Sequence, residues 1–404
     1  MRSSTYPPNP LGMLRPMRPI LIPDREADFT ADPAELFFDL SYVFAFSQLV
    51  AVLLAKPYWS TVADVSLLLL MMWLPWTQFT WSANAVAGNS RTVRLIFLVA
   101  TVASIPMGAS VSTALGDGGM IFVISLAVIM VIALYTMLIG VADDDEVRRS
   151  LLTWSVPNFV AMAAMILGAF LDGGARELVW LGAMGVVVAG TVRAGQGAWL
   201  VRPGHFAERH GLVVIVALGE VVVAIGVAVN HSLEDGHGLP AQLLLALIAS
   251  GIFAGLCWWG YFDRPSHAIE RRHTEVEEPI FRARFARDVY TYAHLPLVAG
   301  ILVAAAGLEG IALHPSDDVA VAVRAMLIGG VVLFLACIVI AVRRAFHVWA
   351  VERIAAVGAL VGLGVLAGSL NGLWFLAIVD LILLAMLAAE HRRIEGPSAQ
   401  AVGS

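Results

Sequence analysis

Five ionisable side chains stand where few are tolerated: Glu35, Asp39, Glu220, His294 and Asp380 all fall in stretches that are otherwise almost wholly apolar. A charge exposed to hydrocarbon at mid-membrane depth costs about 2.5–3.5 kcal/mol on insertion scales, so each of these groups must face a cavity, find a partner or be neutral. Glu220, in LVVIVALGEVVVAIG, is the most isolated. Two chemistries suit it: binding a proton or cation in a cavity, or joining helices as a neutral, hydrogen-bonded carboxyl. Asp380 is a second isolated acid with the same two options. Glu35 and Asp39 are four apart and share a helical face, where two acids at an entrance would gather cations. The alternative is capping, because Asp32-Pro33 with Glu35 has the form of a helix start and acids are favoured in a first turn. His294 follows Tyr290 on one face and precedes Pro296, the pattern of a bent helix that turns a histidine inward; an ordinary core histidine gives the same pattern. Gln48, Glu208, His210, Tyr290 and Glu309 are supporting polar candidates. Gln48 lies nine positions beyond Asp39 and points nearly opposite to it. Glu208, Arg209 and His210 form a charged vestibule at the start of a run. His210 precedes Glu220 by ten residues, about 15 Å of helix, so any direct partner of Glu220 comes from another helix.

Other chemistries lack their residues. The chain has no phosphate loop, no His-Glu-x-x-His pair, no Cys/His ligand spacing and no serine with a His and Asp chain, so neither an enzyme nor a bound metal or cofactor is expected. Cys257 and Cys337, the two cysteines, sit inside apolar runs and read as small buried side chains.

The elements that must position these groups are membrane helices. With 59% hydrophobic and 14% charged residues, the chain falls well short of the charge a soluble surface carries, and lipid must cover much of it. A span needs about 20 largely apolar residues. Runs of that kind lie at 35–55, 61–80, 93–114, 119–140, 152–171, 177–195, 211–230, 240–262, 291–309, 321–342, 350–369 and 371–390. Two hairpins are the weakest crossings: 152–171 with 177–195, joined at Asp172-Gly173-Gly174, and the last pair, joined near Gly368 and Gly372.

With twelve crossings, 22 of the 25 basic residues fall on one side, leaving Lys56, Arg176 and Arg324 opposite. By the positive-inside rule both ends of the chain are cytoplasmic. Residues 1–34 then form a cytoplasmic tail, 35–195 a first six-helix half, 196–210 a cytoplasmic linker, 211–390 a second half and 391–404 a closing tail. The loop 263–290 is a mixed-charge, solvated connection, with an interfacial helix from Pro279 onward as the alternative. The first helices of the halves share a texture, Leu40 to Gln48 against Leu212 to Glu220, and the second helices share aromatic crowding, which predicts a parallel six-plus-six repeat. The tryptophans Trp73, Trp76, Trp81, Trp258 and Trp259 read as packing and interface anchors.

Several blocks carry a family likeness: AELFFDLSYVFAFSQL at 34–49, FAERHGLVVIVALGE at 206–220, WWGYFD at 258–263 and YAHLPLVAGILVAAAGLE at 292–309. Together they resemble the bacterial low temperature requirement protein A family over almost the whole chain. That resemblance implies a polytopic protein of the bacterial inner membrane, named for growth in the cold and without a settled biochemical activity. More distantly, FFDLSYVFAFSQL is similar to the opening-helix motif of potassium channels built from six-helix repeats. Phe38-Asp39 matches its Phe and Asp without the serine between them, and Gly211 stands where the second half would place its aspartate. This likeness implies a first helix that lines a permeation path.

The expectation is an all-α polytopic bundle that serves as a proton- or cation-coupled secondary transporter. In it Glu220 binds the ion, Asp39 and Glu35 gather charge at the cytoplasmic mouth, and His294 or Asp380 completes the polar site. A passive cation channel and a non-transport scaffold or stress-response sensor are the alternatives. The expected partners are the lipid bilayer, a proton or monovalent cation, and a second copy of the chain in a homo-oligomer; nucleic acid is not one.

Overall fold

Inside a bilayer a backbone has no water to bond, so an apolar chain of this kind must satisfy its peptide groups within helices. The computed structural model describes residues 30–86, 90–141, 145–194, 199–236 and 238–395, and among them the only regular structure is helical. The first half holds α1 (Pro33–Ala55), α2 (Trp59–Ala83), α3 (Arg91–Ser110, extended by a 3-10 turn Val111–Thr113), α4 (Gly119–Gly140), α5 (Asp145–Gly168) and α6 (Gly174–Ala194). The second holds α7 (Pro203–Glu234), α8 (Ala241–Phe262), two short helices α9 (Pro265–Thr274) and α10 (Pro279–Phe285), π-helical turns at Ala286–Tyr292 leading into α11 (Ala293–Leu313), then α12 (Val321–Phe346), α13 (Val351–Leu366) and α14 (Gly372–Glu395). Eleven of the described helical segments are long and apolar enough to cross a membrane. All twelve runs read from the sequence are helices, and the one outside the eleven is α13, whose 16 residues rise only about 24 Å.

Both hairpins that read as the weakest crossings reach the far end of the bundle. The α5–α6 turn is tied to the α3–α4 connection by Arg176, whose Nη1 donates to the carbonyls of Ala114 and Gly116. The α13–α14 turn is tied to the α11–α12 connection by the Val319 N–H, which donates to the Leu370 carbonyl at 3.1 Å, and to the start of α12 by Arg324, which donates to the Ala367 carbonyl at 2.8 Å. Large apolar side chains cover the outside of the bundle, among them Val102, Ile121, Leu178 and Ile248, each about half exposed or more, which suits contact with hydrocarbon rather than water.

At the centre stands α11, buried by α12 on one side and by α1 and α7 on the other. Its contact with α12 is made possible by glycine: a Cβ on Gly300 would stand 2.6 Å from the Gly330 carbonyl, and one on Gly307 would stand 2.6 Å from the Leu327 nitrogen. Such backbone-to-backbone approach is how helices gain packing where hydrophobic association is absent.

Two sequence boundaries move. Residues 203–210, expected in a linker, are the first two turns of α7, begun by Pro203 at its first position, and their polar side chains are mostly turned into the bundle. Of the expected linker only 199–202 is described outside a helix. The loop 263–290 is not a plain solvated connection: α9 and α10 fold back so that Ile269, His273, Ala283 and Phe285 are buried beside Phe206 and Tyr290. Most of the expected tails lies outside the described residues, and Asp32 forms the cap of α1.

Candidate functional site

The polar residues of the bundle gather where α1 meets α7, in two tiers. The local cause of the first tier is a shared register. Pro33 opens α1 with Glu35 two residues on and Asp39 six on; Pro203 opens α7 with His205 two residues on and Arg209 six on. Positions four apart stack on one helical face, so two acids on α1 meet two bases on α7.

Arg209 grips Asp39 with both guanidinium ends, Nη1 to Oδ2 at 2.8 Å and Nη2 to Oδ1 at 2.9 Å, the two-pronged geometry of a strong charge-assisted pair. Trp76 of α2 donates its indole N–H to Asp39 Oδ1 at 2.8 Å, and the guanidinium lies 5.8 Å from the centre of the same indole. One turn nearer the helix ends, His205 Nε2 is 3.0 Å from Glu35 Oε2, and Arg209 Nε is 3.5 Å from that oxygen. All four side chains are at most 2% exposed. Glu35 also completes a capping box: its Oε1 accepts from the Asp32 N–H at 3.2 Å, while Asp32 receives the Ala34 N–H and pairs with Arg94 at 2.8 Å. Capping and internal pairing are therefore combined in one carboxylate.

Beside this tier lies a cluster of rings, most of them from the second half. His210 is 4.7 Å from Phe206, 5.2 Å from Trp76 and 5.1 Å from His294, measured between ring centres. The Tyr261 hydroxyl and His294 Nε2 are 2.7 Å apart, and Tyr290 stacks on His294 at 5.5 Å. His210 Nδ1 bonds to the Phe206 carbonyl, and Nε2 has no hydrogen-bond partner among the described residues; the Tyr290 hydroxyl has none either. The π-helical turns shape this wall, and the Thr291 carbonyl within them is satisfied by the Trp73 indole at 2.8 Å.

The second tier is eleven residues farther along α7, about 16 Å deeper. There the Ser47 hydroxyl of α1 lies 3.0 Å and 2.9 Å from the two carboxylate oxygens of Glu220. Glu220 is 1% exposed, and among the described residues no Lys, Arg or His forms an ion pair with it. Glu309 of α11, itself buried, is within electrostatic reach of it. Tyr42, Phe46, Val213, Val214 and Ala217 are buried in the apolar core that α1 and α7 share between the tiers.

The structure thus brings Glu35 and Asp39 together with Arg209, Glu220 within electrostatic reach of Glu309, and His294 together with Tyr290 and His210. It does not bring the rest. Gln48 is half-buried, and its neighbour Ser47 meets Glu220 instead. Glu208 is exposed and accepts the Ala31 N–H at 2.7 Å, so the expected vestibule splits, with Glu208 outside and Arg209 and His210 inside. Asp380 lies on α14, which packs against α8 within electrostatic reach of Cys257, apart from both tiers. Sequence reasoning missed His205, Ser47 and the pairing role of Arg209.

The family of bacterial low temperature requirement A proteins matches residues 30–388. An uncharacterized protein of Rhizobium meliloti (strain 1021) is 27% identical over 319 residues, which cover 75% of this chain and 74% of that protein. No solved structure matches. A match that runs from the cap of α1 to the last turns of α14 takes in both tiers and every crossing between them, and the chain belongs to the bacterial low temperature requirement A family.

Proposed function

We propose that this protein is a secondary transporter of the bacterial inner membrane, with both chain ends cytoplasmic, in which Glu220 carries a proton or monovalent cation and the Asp39–Arg209 pair closes the path from the cytoplasmic side. One observation supports this above the others: a carboxylate deep in an apolar bundle holds a serine hydroxyl, has a second acid within reach, and lacks a basic ion-pair partner among the described residues. A buried carboxylate so placed is neutral or takes up a cation, and moving between those two conditions is what an ion-coupled carrier requires. The first tier is different, because Asp39 is already neutralised by Arg209. Its acids are a closure rather than a cation-gathering mouth.

The test is ion flux in proteoliposomes under imposed H⁺, Na⁺ and K⁺ gradients, with Glu220→Gln as the variant. Glutamine keeps a partner for Ser47 and cannot ionise. Protein-dependent flux that falls at least tenfold in Glu220→Gln is the expected result. No protein-dependent flux in any gradient, or flux unchanged in the variant, overturns the proposal; unitary currents without saturation turn it into a channel.

A further inference from the structure

Apart from the two tiers, a groove of about 560 Å³ lies between α8, α13 and α14, at the end of the bundle where the arginines collect. Its wall is apolar, formed by Ile252, Leu256, Leu384 and Leu387, and its end is charged, with Arg353 and Glu390 beside Asp263 and Arg264. Glu390 accepts from Arg353 Nε at 2.8 Å and from Nη2 at 2.9 Å, and Nη2 also donates to the Gly260 carbonyl. The remaining guanidinium nitrogen, Nη1, is enclosed without an acceptor among the described residues, and the Arg353 side chain is only 2% exposed. An enclosed charged donor with no acceptor calls for an anionic oxygen.

We infer that this groove binds one glycerophospholipid of the leaflet at the arginine-rich end, its phosphate on Arg353 and one acyl chain along α8 and α14. Three features specify a lipid over a soluble phosphate. First, the groove's lining on α8 runs from Ile252 to Asp263 at the helix end, about 16 Å, roughly half the 30 Å hydrocarbon core and so the depth of one leaflet. Second, Ile252, Trp259 and Leu384 are each about half exposed, so the groove opens toward the bilayer. Third, Gly255 lies in its wall, and a Cβ there would meet nothing within 4 Å, leaving room for a chain to lie against the helix. The headgroup follows from charge: two arginines are matched by Glu390 and Asp263, so the mouth suits a phosphate that carries its own ammonium, the phosphoethanolamine type, better than a net-negative lipid.

The experiment is native mass spectrometry of the delipidated full chain titrated with phosphatidylethanolamine, phosphatidylglycerol or inorganic phosphate. Two variants accompany it: Gly255→Leu fills the groove at a position with open space, and Arg353→Lys keeps the charge but loses the fork. The wild type is expected to retain a single phosphatidylethanolamine at least tenfold more tightly than either variant. An unchanged melting temperature of the lipid-free Gly255→Leu protein establishes that folding is intact. Equal retention by wild type and Gly255→Leu, or displacement by millimolar inorganic phosphate, overturns the site; phosphatidylglycerol held as tightly as phosphatidylethanolamine overturns the headgroup assignment.

Discussion

Removing Arg209 while leaving Asp39 in place is the most informative single perturbation of the first tier. Both side chains are at most 2% exposed, so solvent screens neither, and the pair is held by two charge-assisted bonds of 2.8 Å and 2.9 Å. Arg209→Met strands the Asp39 carboxylate with only the Trp76 indole as donor, close to a second acid, Glu35. Breaking a buried pair in this way costs about 3–5 kcal/mol. Asp39→Asn costs less, about 2–3 kcal/mol, because the amide oxygen still accepts from Trp76 and Glu35 remains 3.5 Å from Arg209. In the double variant no uncompensated charge is left: the introduced amide keeps the Trp76 bond, His205 still meets Glu35, and the loss falls to about 1–2 kcal/mol. The singles therefore overshoot the double, with a coupling energy of at least about 3 kcal/mol. Equilibrium unfolding of the four proteins in mixed micelles measures it. A cycle that closes within about 0.5 kcal/mol would refute the closed pair and the closure of the path built on it.

Three further outcomes follow from other parts of the molecule. Gly300→Ala places a methyl 2.6 Å from the Gly330 carbonyl and is expected to destabilise by about 1–3 kcal/mol in the same unfolding assay, whereas Gly182→Ala, with nothing within 4 Å, is expected to be neutral or stabilising by up to about 1 kcal/mol. Arg94→Ala removes a partner of Asp32 that is 49% exposed, and its cost is expected to stay below about 1 kcal/mol because water already screens the pair and the cap of α1 remains. With Cys257 and Cys337 replaced by alanine, Asp172→Cys and Asp317→Cys are expected to react with an impermeant maleimide from the opposite side to Glu275→Cys; labelling of Asp172→Cys together with Glu275→Cys would show that α5 and α6 do not cross.

The membrane-length helices were legible because lipid acts on long stretches, so that apolar length alone marks a span. Even the short α13 is marked by its apolar run, although removing α13 and α14 together would leave every basic loop on its side. The site was legible only as a set of residues. A helix turns 100° per residue, so one position decides which side chain faces a partner, and the texture that paired Gln48 with Glu220 was one residue from Ser47, which meets it. The start of α7 reads as a linker because it is polar, with His205, Glu208, Arg209 and His210, and polarity in sequence does not say whether the partner is water or an acid 170 residues away. One signal was available. The matched spacing of Glu35 and Asp39 after Pro33 with His205 and Arg209 after Pro203 is visible without coordinates. Asp380 shows the limit from the other side: its isolation resembles that of Glu220, yet packing sets its helix against α8 and away from α1.

The glycine contact between α11 and α12 has a mechanical meaning. With Gly300 and Gly307 pressed on the opposite backbone, neither helix can slide or roll against the other without collision, so the two behave as a single post. The α1–α7 seam on the other flank of α11 is held at two levels by polar contacts, which a change of partner would release without any change of side-chain volume. If the protein changes shape while folded, the post is the stator and the seam is the moving part.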